Sequence, residues 1–214
     1  SGLASIAPGE GVLSEEGKTT VPSSRAYWVV DPLDGTTNFA AGIPFWAISI
    51  ARFVDGRPSE VFLDMPALNQ RFVALRGRGA TRNDEPLTPE SRSSVNSGCV
   101  SLCSRSIRVL QSKPDQPFPG KIRLFGVASL NLVSVALGQT VAALEATPKI
   151  WDLAAAWLIL DELGCPIRWL DADPAQLQPG QDVSQEGFPM LAAVSWSRLA
   201  KLLPWGESPV SYTH

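Results

Sequence analysis

An apolar run breaks off at two aspartates. Tyr27-Trp28-Val29-Val30 leads straight into Asp31-Pro32-Leu33-Asp34-Gly35-Thr36-Thr37-Asn38. Two carboxylates this close can aim at one point only if the chain turns between them. Pro32 fixes one φ angle and donates no N–H. Leu33 can then offer its carbonyl to the same point, and Gly35 lets the backbone pass close to a ligand. Thr36 and Thr37 follow with N–H groups and hydroxyls, opening a short helical turn. Carboxylates and a carbonyl suit a hard cation such as Mg²⁺, and N–H donors suit phosphate. The plain alternative is an Asp-rich turn capping a strand, since Asp favours turns for its local hydrogen bonds. The full octapeptide is much more specific than Asp-x-x-Asp.

Asp152 is the second element. It follows Trp151 and opens an apolar stretch that runs to Leu160, so it is expected as an N-cap. An N-cap side chain lies at a helix mouth, where it can also bind a metal. Glu15 and Glu16 come third. Adjacent acids in a loop are usually solvated, but after Val12-Leu13 and before Gly17 one can turn inward. Placed together, Glu15, Asp31, Asp34 and Asp152 form a cluster of negative charge that is untenable in a partly buried site without cations. Two divalent ions would cancel it, and a phosphate ester could bridge them. That is the logic of two-metal hydrolysis.

Strands and helices must hold these groups in place. Residues 27–30 read as a buried strand. Residues 46–54 read as another, Asp55-Gly56 as a hairpin turn, and 60–63 as its antiparallel return. Residues 71–75 add a strand, with Gly77 and Gly79 punctuating the next turn. Residues 81–97 are polar with two prolines, a lobe boundary. Beyond it, 99–102, 121–125, 140–144, 166–170 and 191–194 read as strands. Residues 106–111, 127–137, 152–163 and 197–203 read as helices, the third ending at Gly164. The fold class is α/β, as a layered α+β arrangement. An antiparallel-sheet lobe over 1–95, carrying the first metal and phosphate motif, precedes a smaller mixed α/β lobe over 96–214.

Composition narrows the chemistry. The chain has 214 residues, 44% hydrophobic and 18% charged, so it folds rather than staying disordered. A net charge of −3 with no basic stripe argues against nucleic acid as a partner. The single histidine is His214, which excludes zinc sites of the HExxH type, histidine-based triads and histidine phosphatases within this chain. Three cysteines make no full disulfide framework, so a reducing, cytoplasmic setting is expected. No apolar run is long enough to span a membrane. The start, Ser1-Gly2-Leu3, has no signal-peptide character and no initiator Met, so the chain reads as trimmed there.

The motifs together resemble those of the inositol monophosphatase family. Asp31 through Phe39 matches its first signature. Trp151-Asp152-Leu153-Ala154-Ala155 through Glu162-Leu163-Gly164 is similar to its second. Ser14-Glu15-Glu16 resembles its Gly-Glu-Glu element, with Ser14 in place of glycine, and Gly126-Val127-Ala128-Ser129 resembles its Gly-Ser-Ala-Ala turn. The resemblance covers most of the chain. It implies a sandwich like those of inositol monophosphatase and fructose bisphosphatase, with the family's N-terminal helices missing. It also implies a Mg²⁺-dependent phosphomonoesterase acting on a small polyol or sugar phosphate with two or three ions. Glu15, Asp31 and the Leu33 carbonyl would hold one ion, and Asp31, Asp34 and Asp152 another. Gly35 and Thr36 would bind phosphate. Thr36 and Glu15 would be the catalytic residues, Thr36 positioning the attacking water. Ala128 and Glu145 would contact the alcohol. Lithium inhibition is implied as well. The family's N-terminal region supplies a Lys and an Asp near the site, so the chain is either a fragment or a shortened natural protein.

Other readings compete. A catalytically weak binding or regulatory protein could retain this fold. Relatives acting on fructose bisphosphate, histidinol phosphate or a nucleotide phosphate share the metal machinery. Cys99 and Arg105 have the Cys-x5-Arg spacing of cysteine phosphatases, but no glycine lies between them and β-type residues fill the segment. Asp161 and Glu162 oppose the dipole of their helix and read as a solvated pair. The expected partner is a small phosphate ester, with a homodimer left open and neither nucleic acid nor membrane expected.

Overall fold

Strict alternation builds the first sheet. Along β3 (Ala47–Val54) every second residue is buried, the pattern of a strand with one face on a core. It lies between β2 (Ala26–Asp34) and β4 (Arg57–Met65), and β5 (Gln70–Leu75), β6 (Gly79–Arg82) and β7 (Glu85–Leu87) follow in chain order. The β3–β4 hairpin turns at Asp55 and Gly56, with φ of 54° and 75°, the left-handed pair that a two-residue hairpin loop requires. The computed structural model describes residues 2–88 and 98–207. The expected boundary segment at 81–97 therefore falls partly outside the described residues, and its first part is no boundary. It belongs to β6 and β7, a short edge hairpin turning at Asn83 and Asp84. Edge strands tolerate polar residues and a proline such as Pro86, which is why the segment reads as loop.

The sheet is not wholly antiparallel. Val12 and Leu13 lie in a strand of their own, β1 (Gly11–Ser14), parallel to β2. The 15–25 loop carries the chain back to the same end, as parallel pairing demands. β1 follows a short helix, α1 (Gly2–Ile6).

The second sheet has β11 (Ile167–Trp169), β12 (Met190–Ala193), β10 (Ala142–Glu145), β8 (Cys99–Leu102) and β9 (Lys121–Arg123) in that spatial order. It is mixed, with β8 parallel to both β9 and β10, and β12 antiparallel to β10 and β11. Its middle strands are buried on both faces. Ala143, Met190 and Ala192 belong to the larger hydrophobic core, while Ala142, Leu144, Leu191 and Ala193 belong to a smaller one behind.

Two helices fill the space between the sheets. α4 (Ala128–Ala136) packs on β8, β10 and β12, and α5 (Ile150–Glu162) packs on strands β2 to β6. Both are buried nearly all round, and the polar Ser129, Asn131 and Ser134 of α4 are buried with the rest. Ala154, Ala155 and Ala156 are fully buried and let α5 approach both α4 and the first sheet. Behind the second sheet lie α3 (Ile107–Gln111) and α6 (Trp196–Gly206). The order of layers is sheet, helices, sheet, helices. Among the described residues no helix is long and apolar enough to cross a membrane.

Candidate active site

The aspartate loop begins as a strand and ends as a helix. The β2–β3 ladder loses register between Asp31 and Asp34, an irregularity of the kind that re-aims side chains. Gly35 then takes φ +94°, and α2 (Thr36–Ala40) starts. A Cβ on Gly35 would lie 2.7 Å from a Val127 methyl and 3.0 Å from the Phe45 carbonyl, so only glycine fits there.

Three aspartates each rest one oxygen on a backbone N–H. Asp31 Oδ1 accepts from Leu33 N at 2.9 Å, Asp34 Oδ2 from Ser129 N at 2.8 Å, and Asp152 Oδ2 from Lys149 N at 2.8 Å. Asp152 is not the N-cap expected from the sequence. α5 begins at Ile150 with Lys149 as its cap, and Asp152 bonds back to it from inside the first turn. That reciprocal contact satisfies an amide that would otherwise be orphaned. The Trp151 carbonyl just before Asp152 accepts from Ser49 Oγ at 3.3 Å, tying α5 to β3.

Glu15 arrives through the parallel ladder. Ser14 pairs with Val30, so the next residues, Glu15 and Asp31, emerge side by side. Glu15 is exposed, and its charge bears on Asp31, Asp34 and Asp152. Thr36 Oγ donates to the Leu33 carbonyl at 3.1 Å.

The acids are electrostatically strained. Burial, then the charge of Asp34, pushes Asp31 up to about 8. The same two causes push Asp152 up to about 8. Burial also raises Asp34, against the lowering effect of the Ser129 contacts. Glu145, at the end of β10, is only 2% exposed. Burial drives it well above the ordinary carboxylate range, with Cys103 adding to the shift, while the Asn131 amide, donating at 2.6 Å, opposes it.

Asp34, Asp152, Glu145 and Ala128 line one cavity of about 240 Å³. The structure thus brings these residues to one place, with Asp31 and Glu15 close enough to act on them electrically. Cys103, Asn131 and Thr147 also line it and carried no signal in the sequence, and Arg105, which the sequence offered only within the Cys-x5-Arg spacing, lines it too. Long-range pairing delivers them: Cys103 N bonds to the Leu144 carbonyl across the β8–β10 edge.

The donor set fits a divalent cation. Asp31 Oδ2 is buried with no hydrogen-bond partner, and mutual repulsion among hard oxygen donors is what Mg²⁺ relieves. Among the described residues no three His, Cys, Asp or Glu side chains already meet at one point.

Two sequence decoys resolve. Cys99 is buried in β8, so the Cys99–Arg105 segment starts as a ladder strand, not as the loop of N–H donors that cysteine phosphatases need. Glu162 is not merely solvated. Its carboxylate accepts from Gly77 N and Gly79 N, both at 2.7 Å.

The chain matches the inositol monophosphatase family over residues 1–198. It is 35% identical over 175 residues to the Nus factor SuhB of Xylella fastidiosa, covering 77% of this chain and 63% of that protein. It is 36% identical over 176 residues to the histidinol-phosphatase of Mycobacterium tuberculosis, covering 77% of this chain and 66% of that one. The extragenic suppressor protein suhB of Bartonella henselae has the same fold, with a TM-score of 0.76 and 28% identity over 97% of this chain and 81% of that one. The chain belongs to the inositol monophosphatase family.

Proposed function

We propose that the protein is a Mg²⁺-dependent phosphomonoesterase acting on a small polyol or sugar phosphate. The crowding of Asp31, Asp34 and Asp152, with an unpartnered oxygen on Asp31, carries this reading. Family membership supports it. Glu15, Asp31, Asp34, Asp152 and the Leu33 carbonyl would hold two or three Mg²⁺ ions. When bound, the ions supply positive charge that acidifies water and stabilises a departing alkoxide.

The chain's own groups do the rest. Gly35 and Thr36, at the start of α2, offer backbone N–H groups to phosphate oxygens. Thr36 directs its hydroxyl proton to Leu33, which leaves its oxygen lone pairs to accept a hydrogen bond from an attacking water. Glu15 reaches the site from the exposed side. Ala128 provides a small surface against the alcohol, and Glu145 accepts its hydroxyl protons. Three cysteines, none in a disulfide, support a reducing, cytoplasmic setting.

The test is a panel of phosphate esters with Mg²⁺, with and without EDTA, on wild type and Glu145→Gln. Release of phosphate should need Mg²⁺. Glu145→Gln should change preference among inositol, glycerol and sugar phosphates more than it changes the rate with an aryl phosphate. Full activity in excess EDTA would overturn the metal reading, and equal losses on every ester would make Glu145 structural.

A further inference from the structure

The acid-lined cavity does not end at Glu145. Arg105 and Thr147 line it, and both also line a neighbouring cavity of about 550 Å³. The two spaces therefore share a wall at these residues. Arg105 is exposed on a short 3-10 turn, Ser104–Ser106, after β8, and its one hydrogen bond among the described residues goes to the neutral Thr147 hydroxyl, at 2.7 Å. By contrast Arg25, Arg52 and Arg71 all pair with carboxylates. A guanidinium carries five donors in a planar fork, so most of Arg105's remain for a ligand.

Lys149, also on the larger cavity, lies near enough to feel the charge of Arg105. One of its three donors goes to the Ser184 carbonyl at 2.8 Å, and unlike Arg105 it does not line the acid-lined cavity. Asp171 and Glu186 lie on that cavity too, and the Glu186 carboxylate takes the Gln181 amide at 2.7 Å. Arg105 is thus the cation that lines both cavities, with donors to spare.

Charge balance says what it takes. Divalent ions bound among the acids would be matched by those acids and by the phosphoryl group being cleaved. A second anion on the same substrate needs its own cation. We infer that Arg105 is a specificity-determining residue that binds a second anionic group, a phosphate or carboxylate, on the alcohol part of the substrate. That part would extend past Glu145 into the larger cavity. Bidentate guanidinium contacts recognise both phosphate and carboxylate. This inference rests on the phosphatase reading above and names a narrower substrate class for it.

The experiment compares wild type, Arg105→Gln and Arg105→Lys. The probes are fructose bisphosphate, fructose monophosphate and an aryl phosphate, each with Mg²⁺. The ratio of kcat/KM for the bisphosphate to that for the monophosphate should fall at least about tenfold in Arg105→Gln, mostly through KM. Arg105→Lys should recover part of it. Calorimetric titration with the bisphosphate, and with inorganic phosphate for comparison, should show Arg105→Gln weakening the first more than the second. An unchanged ratio, or an equal fall on all three esters, overturns the role of Arg105. If the wild type releases phosphate from no ester, the phosphatase reading falls instead, and the calorimetric comparison still decides the role of Arg105.

Discussion

The Asn38 side-chain amide donates to two carbonyls at once, Phe45 at 3.0 Å and Phe125 at 2.8 Å. One residue thus pins the end of the aspartate loop to the turn that opens α4. Gly126 completes the fit. It has φ +76°, and a Cβ there would sit 3.0 Å from the Asn38 amide nitrogen. Asn38→Leu should leave both carbonyls short of a donor and cost about 2–3 kcal/mol, read from urea midpoints. Phosphate release should fall further than stability accounts for, because Ser129 would drift from Asp34. A loss of stability with unchanged kcat would mean the pin has no bearing on the site.

Stability should depend on pH in an unusual direction without metal. Asp31 and Asp152 titrate near 8 when folded, against 3.8 when free. The folded chain therefore keeps protons that the unfolded chain has released. Where the native state binds more protons, stability falls as pH rises. In EDTA the stability contribution should be greatest below about pH 4 and decline through about pH 8. Saturating Mg²⁺ should flatten or reverse the slope. Thermal unfolding across that range checks both limbs. A Tm in EDTA that climbs with pH would mean that the acids are not crowded.

Asp34→Asn separates folding from metal binding. It removes a buried charge but keeps an oxygen for the Ser129 N–H. The metal-free protein should be at least as stable as wild type. Mg²⁺ affinity should drop in calorimetry, and phosphate release should fall by at least about 10², a loss of roughly 2.7 kcal/mol.

Glu162→Ala should act on the scaffold alone. Two short bonds from Gly77 and Gly79 end on its carboxylate, at a partly exposed position. Their loss should cost about 1–3 kcal/mol and loosen the β5–β6 turn. Turnover at saturating substrate should persist. A matching collapse of kcat would show that this turn reports to the site.

The legible parts of the site were those written contiguously. Asp31 to Asn38 carry strand end, turn and helix start within one octapeptide, so local rules suffice. Asp152 was legible as a site residue but not as a cap. An N-cap and an acid inside the first turn look alike until the helix start is known. Glu15 needed a parallel ladder that the short apolar pair Val12-Leu13 could only hint at. Cys103, Asn131 and Thr147 were illegible, and Arg105 was visible only within a misleading Cys-x5-Arg spacing, because pairing between strands far apart in sequence, not any local pattern, sets them around the cavity. β6 and β7 escaped for a different reason: they are very short strands at the end of the sheet, where little apolar alternation is needed.

The site is distributed across the layers. Asp34 stands on the first sheet, Ser129 on the helix layer, Asp152 on the other helix, and Glu145 on the second sheet. No subset of elements could therefore assemble it early in folding. The carboxylates should come together only when both sheets have closed over α4 and α5, late along a route dominated by non-local contacts. Mg²⁺ that binds only the native arrangement would then lock the last step. Amide protons in α5 would exchange only by global opening, and added Mg²⁺ would slow them by the same factor as it slows those of β3 and β12.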